Sequence, residues 1–276
     1  MDRNCRSATA SAAILGDQVA VDLYGPGGAP GALFVQGAGL ERSEDPLPTE
    51  TARIIAELGY QASVHDRVGR GDSFASGPIS IDREIAAITA IADRLVGPVI
   101  LVGHSSGCAL AILAANEIPN LAGLVLFEAP LGQFPGGAPR WWQAVRTHID
   151  RGELRDAVES YMVDMPEEWL EELQRSPAYP QIGHSWIPDG TALAAVEAEG
   201  PEAYLGKLAV PVLAVTGTET FPGMVNAAAM ISDAAPEGSA EQVRGAWHSW
   251  DAATMAQRLV RLLAETTQLR PRRAPA

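Results

Sequence analysis

Pro98-Val99-Ile100-Leu101-Val102-Gly103-His104-Ser105-Ser106-Gly107, continuing into Cys108-Ala109-Leu110-Ala111-Ile112, is the stretch that decides the fold. The unbroken apolar run up to Val102 has the length and branched side chains of a strand buried on both faces. Ala109 to Ala115 is nearly all apolar and reads as a buried helix. Between them lies Gly-x-Ser-x-Gly. Small residues on either side of a serine let the backbone close a sharp strand-to-helix turn that exposes the hydroxyl at the sheet's carboxyl edge. The amide of Ser106 then points into an anion site at the helix start. The pentapeptide alone is common by chance, and its place between strand and helix gives it meaning.

Outward from this turn, strand-like and helix-like segments alternate, as expected of an α/β fold with a mostly parallel central sheet and helices on both faces. Gln18 to Tyr24 alternates polar and apolar residues as a first strand. Ala32 to Val35 is continuously apolar and ends in the turn Gln36-Gly37-Ala38-Gly39. Thr49 to Leu58 has helical spacing and precedes the short strand Tyr60 to Val64. In the polar loop Asp66-Arg67-Val68-Gly69-Arg70-Gly71-Asp72-Ser73, the two aspartates are expected to organise the turn with Arg67 and Arg70. Ile81 to Leu95 carries an apolar stripe, with Asp82, Arg83, Glu84 and Asp93 off it, and reads as an amphipathic surface helix. A further strand, Gly123 to Phe127, ends in Glu128-Ala129-Pro130. From 131 to 208 helical patterns are short, interrupted by Pro and Gly, and hold Trp141, Trp142, Trp169 and Trp186. Sheet texture returns at Val210 to Val215 and Glu241 to Arg244, and a helix from Ala252 to Leu263 closes the chain. The expected organisation is a core of 1–130 and 209–276 with a helical cap insertion at 131–208.

Composition narrows the function. A net charge of −14 over 276 residues and a pI near 4.7 argue against nucleic-acid binding, which needs clustered Lys and Arg. Only Arg270-Pro271-Arg272-Arg273 is locally basic, and it reads as a frayed end. No apolar run approaches the roughly 20 residues of a membrane span. Arg3 and Arg6 before Ala8 to Leu15 imitate a signal peptide, but the run is short and broken by Thr9 and Ser11, so cytoplasmic residence is expected. The two cysteines, Cys5 and Cys108, make no disulfide framework, and Cys108 reads as a small packing residue. No clustered Cys/His ligand set stands out, so neither metal nor organic cofactor is expected.

A serine is a poor nucleophile near neutral pH and needs a base. His248, in Gly245-Ala246-Trp247-His248-Ser249-Trp250 before the closing helix, is the base the chain order favours, and its tryptophan neighbours suggest a partly dry site. His104 is expected to pack inside the turn. His65 follows a strand, and His148 and His184 are expected to face solvent.

On Gln36-Gly37-Ala38-Gly39, the Asp66 to Ser73 loop, the Ser105 turn, Glu128-Ala129-Pro130 and His248, the sequence resembles the α/β-hydrolase superfamily, as a capped member with a serine nucleophile. The resemblance implies a catalytic triad and an oxyanion hole formed by the Ala38 and Ser106 amides, although Gln36 stands where many relatives have histidine. It also implies an aspartate after the strand Pro211 to Val215, in a Gly-x-x-Asp turn. Here the turn is Gly217-Thr218-Glu219-Thr220, and the position is Thr220. Some members supply the acid one strand earlier, where Glu128 stands. A carboxylate ending an apolar strand needs a partner, and a hydrogen bond to His248 provides one. Glu128 is therefore the expected acid, with Glu219 as second choice.

The implied activity is hydrolysis of an ester or thioester through acyl-Ser105, on a small-molecule substrate with an apolar acyl group. Ser105, standing where dehalogenases and epoxide hydrolases need a carboxylate, speaks against those chemistries. A lyase, cyclase or cofactor-free haloperoxidase using the same groups is the alternative, followed by an inactive binding protein. Met162, Met165, Trp141, Trp142, Trp169 and Trp186 are candidates for an apolar pocket or for the cap's own core.

Overall fold

One strand explains the layering. β5 (Val99–His104) turns Val99 and Leu101 into one apolar cluster and Ile100 and Val102 into another, the period-two alternation of a strand covered on both faces. The computed structural model describes residues 8–14, 16–39, 41–163, 165–176, 179 and 182–269. Cys5, Arg3, Arg6, Leu15 and the basic tail Arg270 to Arg273 lie outside them.

The described strands are β1 (Ala8–Ile14), β2 (Asp17–Tyr24), β3 (Gly31–Val35), β4 (Gln61–His65), β5, β6 (Leu121–Phe127), β7 (Val212–Glu219), β8 (Gly238–Ala246) and β9 (Ser249–Trp250). They form one nine-stranded sheet in the order β1-β2-β4-β3-β5-β6-β7-β8-β9. From β4 across to β8 every pairing is parallel, and antiparallel pairs lie only at the two ends. The expected first strand is thus the second. β1, built from small residues of low strand preference, pairs with β2 from Ala8↔Leu23 to Ile14↔Asp17.

Helices α1 (Pro46–Glu57) and α11 (Ala252–Leu269) bury Ile55, Met255 and Leu259 against one face. Against the other lie α2 (Ile81–Arg94) and α3 (Gly107–Ala115). α1 starts three residues before the expected Thr49 because Asp45 accepts from the Leu47 amide at 3.1 Å and caps it. α2 corrects a second expectation: Glu84 is fully buried rather than on the wet face. Its partner is Arg67.

Between β6 and β7 run α4 (Ala138–Asp150), α5 (Leu154–Tyr161), α6 (Glu167–Arg175), α7 (Ile182–Ser185), α8 (Ile187–Glu199) and α9 (Glu202–Leu205). α8 packs against α3 and α2, and α4 packs against α5 and α8. α6 buries none of its residues. α10 (Pro222–Ala234) follows β7 and rests on β7 and β8. Among the described residues no helix is long and apolar enough to cross a membrane.

Register positions the site. Val35 pairs with Gly103, so the loop after β3 and the turn after β5 leave the sheet side by side. His104 pairs with Phe127, so Ser105 and Glu128 also leave as neighbours. Such a crevice at the carboxyl ends of parallel strands is where open α/β sheets bind ligands.

Candidate active site

Ser105 has φ 55°, a left-handed backbone that costs a non-glycine residue about 1–3 kcal/mol. The strain is locked by hydrogen bonds: the Ser105 amide donates to Phe127 O at 2.9 Å and its carbonyl accepts from the Cys108 amide at 2.9 Å. Close packing accounts for the glycines. A Cβ on Gly103 would lie 2.7 Å from Cys108 Cα, and one on Gly107 2.4 Å from Val35 O. Cys108 is buried, which pushes its thiol pKa well up and leaves it a packing residue.

Glu128 also has positive φ, at 49°. Its amide donates to Val215 O at 2.9 Å, and the side chain turns under β7, where Oε1 accepts from the Gly217 amide at 3.0 Å. Oε2 accepts from His248 Nδ1 at 2.7 Å. The residue is 1% exposed, and burial alone would raise its pKa, but hydrogen bonds, led by that from His248, bring it below the usual range. Thr220, at the position where an aspartate was expected, stands near enough to add to this effect without the geometry of a full hydrogen bond. Glu219 is exposed, and its backbone carbonyl accepts from the Trp247 amide at 3.0 Å.

His248 lies between β8 and β9, with positive φ both at His248 (72°) and at Trp247 (49°). Its Nδ1–H points to Glu128, and the residue lines the same cavity as Ser105. His104 holds this loop from below, donating from Nε2 to His248 O at 3.0 Å. Its ring packs edge-on to Phe127 and Trp250. Burial, with the nearby His248, lowers its pKa to about 3, so it stays neutral. His65 is fully buried, while His184 is exposed and His148 pairs with Glu153 at 2.8 Å.

The loop after β3 closes over the serine. A Cβ on Gly37 would sit 2.8 Å from Ser105 Cβ, which fixes glycine there. Among the described residues no group accepts from the Ala38 or Ser106 amide. Gln36 is buried, its Nε2 3.4 Å from Asp45 Oδ2.

Behind this loop lies a network absent from the sequence reading. The sequence leads one to expect Asp66 and Asp72 to organise the loop together with Arg67 and Arg70. Instead, Arg67 Nη1 and Arg70 Nη2 each reach Asp189 of α8 at 2.6 Å, and Arg67 Nη2 reaches Glu84 at 2.9 Å. The cations also clamp the loop: Arg70 Nη1 donates to Gly37 O at 2.7 Å and Arg67 Nη1 to the Gln36 and Gly37 carbonyls at 3.3 Å. Ser106 Oγ donates to Asp189 Oδ1 at 2.8 Å. Burial opposes the charge on Asp189, but the two guanidiniums outweigh it and lower its pKa. Asp66 takes Arg42 instead, at 3.1 Å, and accepts from the Asp72 amide at 2.9 Å. The available signal was Asp189 itself, an acid in the otherwise apolar first turns of α8.

Ser105, Ser106, Ala38 and His248 line one cavity of about 540 Å³. Its walls are largely apolar, with Met162 and Tyr161 from the α5 end, Trp169 and Leu173 from α6, and Trp186 before α8. Trp141 and Trp142 are not among the lining residues; Trp141 stacks on Phe134, and Trp142 packs where a Cβ on Gly190 would be 2.1 Å away. Among the described residues, His148, Glu153 and Asp156 form one group spaced to hold a metal, with ligand atoms within 4.8 Å, outside this cavity.

A strained serine between strand and helix, and a histidine–carboxylate pair from two further strand ends of a mostly parallel sheet, define an α/β-hydrolase arrangement. The alpha/beta hydrolase family model matches residues 19–262, and the chain belongs to that family. It is 34% identical over 115 residues to lipase LipV of Mycobacterium tuberculosis, a match spanning 39% of this chain and 40% of that protein. The fold is similar to an alpha/beta hydrolase from Sphaerobacter thermophilus, with TM-score 0.73 and 23% identity over 92% of this chain and 99% of the other. It is also similar to a thermophilic esterase from Thermogutta terrifontis, with TM-score 0.57 and 17% identity over 95% and 98% of the two chains.

Proposed function

We propose that the protein is a serine hydrolase that cleaves an ester or thioester through an acyl-Ser105 intermediate. The observation that carries this reading is the 2.7 Å contact of His248 Nδ1 with the buried Glu128, beside a serine whose strained backbone presents it to the same cavity. His248 Nε2 takes the Ser105 proton, and the alkoxide attacks the carbonyl carbon. The oxyanion is held by the Ala38 and Ser106 amides, donors that need no reorientation because Arg67, Arg70 and Asp189 fix the chain around them. His248 returns the proton to the leaving group, and water releases the acyl group by the same steps. Glu128 keeps Nδ1 protonated and stabilises the imidazolium. The 131–208 segment serves as a cap, its apolar side chains accepting the acyl group. The names of the lipase and esterase relatives agree with this chemistry.

The test is turnover of p-nitrophenyl esters of graded chain length together with labelling by a fluorophosphonate. Wild type is expected to do both, and Ser105→Ala neither. Labelling of Ser105 without turnover of any ester would move the function to lyase, cyclase or haloperoxidase chemistry. Equal residual turnover by wild type and Ser105→Ala would leave a binding protein.

A further inference from the structure

The indole of Trp186 is a polar group in this cavity that the proposed chemistry does not use. Trp186 is 2% exposed, lines the cavity, and its Nε1–H has no acceptor among the described residues. Two other buried indoles are satisfied: Trp141 Nε1 donates to Ser160 O at 3.1 Å and Trp250 Nε1 to Thr51 Oγ1 at 2.9 Å. An unpaired buried donor is costly and calls for an explanation in a native fold.

Its position supplies one. A Cβ on Gly39 would lie 3.7 Å from Trp186 Nε1, so the N–H reaches the loop whose Gly37 touches Ser105. The ring is held by Tyr161, with centroids 4.3 Å apart. The donor therefore opens on the same cavity as the serine. A leaving group must take its proton from His248 and so lies on that side, by Trp247, which is 61% exposed. The acyl group takes the enclosed side, where Trp186 lies.

The geometry points to Trp186 Nε1–H as a specificity determinant that donates to an oxygen on the acyl chain, so that the site favours 3-oxoacyl-type esters or thioesters over plain alkanoyl ones. This rests on Ser105 being the acylated nucleophile. A site with a donor built for a substrate oxygen disfavours an isostere that lacks it, because the donor stays unpaired.

Ethyl acetoacetate and ethyl 3-methylbutanoate differ by a carbonyl oxygen in place of a methyl group and make the test pair. Trp186→Phe keeps the aromatic body and is expected to lower kcat/KM about tenfold for the keto ester and less than about twofold for the other. Equal losses on both esters, or no loss on either, overturn the proposal; equal losses would make the indole an oxyanion donor or a packing residue. A second readout does not depend on turnover or on the variant folding. In ¹⁵N-labelled Ser105→Ala, with indole resonances assigned through the backbone, the Trp186 N–H signal is expected to move downfield with ethyl acetoacetate and to stay in place with ethyl 3-methylbutanoate. An unmoved signal while other cavity resonances shift overturns the assignment. Wild type that hydrolyses neither ester would count against the hydrolase reading, and the indole shift would still decide this one.

Discussion

Two buried carboxylates reach the Ser105 turn by different routes. Glu128 reaches it through His248, which is half-buried and carried on a strained loop. Asp189 acts through Ser106 and is enclosed by two guanidiniums. Glu128 thus faces a partner whose charge can change during a reaction. Asp189 faces partners whose charge is permanent. A carboxylate with a switchable partner suits proton transfer, whereas one saturated by fixed cations suits holding a loop still. The same cost of burying an acid is met in one case by an imidazole and in the other by two fixed guanidiniums.

The sharpest way to break this comparison is to remove each charge without changing shape. Glu128→Gln is expected to lower kcat about 10⁴-fold, because the amide favours the wrong histidine tautomer. Its melting temperature should stay close to wild type, since its carbonyl oxygen still accepts from the Gly217 amide. Steady-state kinetics with Glu219→Gln in parallel decides the assignment, and a large loss there with none in Glu128→Gln would reverse it.

Asp189→Asn is expected to show the opposite pattern. Leaving Arg67 and Arg70 short of a counter-charge should cost about 3–5 kcal/mol in urea unfolding. Where the variant remains folded, displacement of the loop should reduce kcat by no more than about 10²-fold. If Asp189→Asn instead matches Glu128→Gln in activity and leaves stability intact, the division between the two acids fails.

A smaller effect concerns pH. Burial, followed by the charge of Arg67, lowers the pKa of His65 to about 4, and burial with His248 lowers that of His104 to about 3. Unfolded histidine titrates near 6.5. Between these values the unfolded chain binds more protons, so stability is complete above about pH 6.5 and is lost as pH falls towards 4. Glu128 and Asp189, lowered in the fold, add their own loss only below the ordinary carboxylate range. Melting temperature measured from pH 8 to 4 should be flat and then decline. His65→Gln should make the decline shallower by about one proton, or about 1.4 kcal/mol per pH unit.

The Ser105 turn was legible because its signal is local: an apolar strand, small residues and an apolar helix in one continuous stretch. Glu128 was legible through a physical cost, an acid at the end of a buried strand. Glu84 was not, because a stripe drawn on one helix cannot see Arg67 on a loop across the face. Arg67 and Arg70 sit beside Asp66 and Asp72 in sequence, whereas the acid the two arginines share, Asp189, lies over 110 residues away on α8. β1 escaped because alanine and serine carry little strand preference, and pairing with β2 supplies what the residues lack.

The sequence by itself determined the strand-turn-helix around Ser105, the alternation that yields a mostly parallel sheet, and the chain order of Ser105, Glu128 and His248. These follow from contacts between near neighbours and from periodicity. Tertiary structure decided that Glu128 rather than Glu219 lies against His248, that Asp189 stands behind Ser106, and that Trp186 turns its N–H towards the loop at Gly39. Those outcomes depend on which strand ends and helices become neighbours. Burial then gives each charge or donor a strong need for whichever partner the fold has brought within reach.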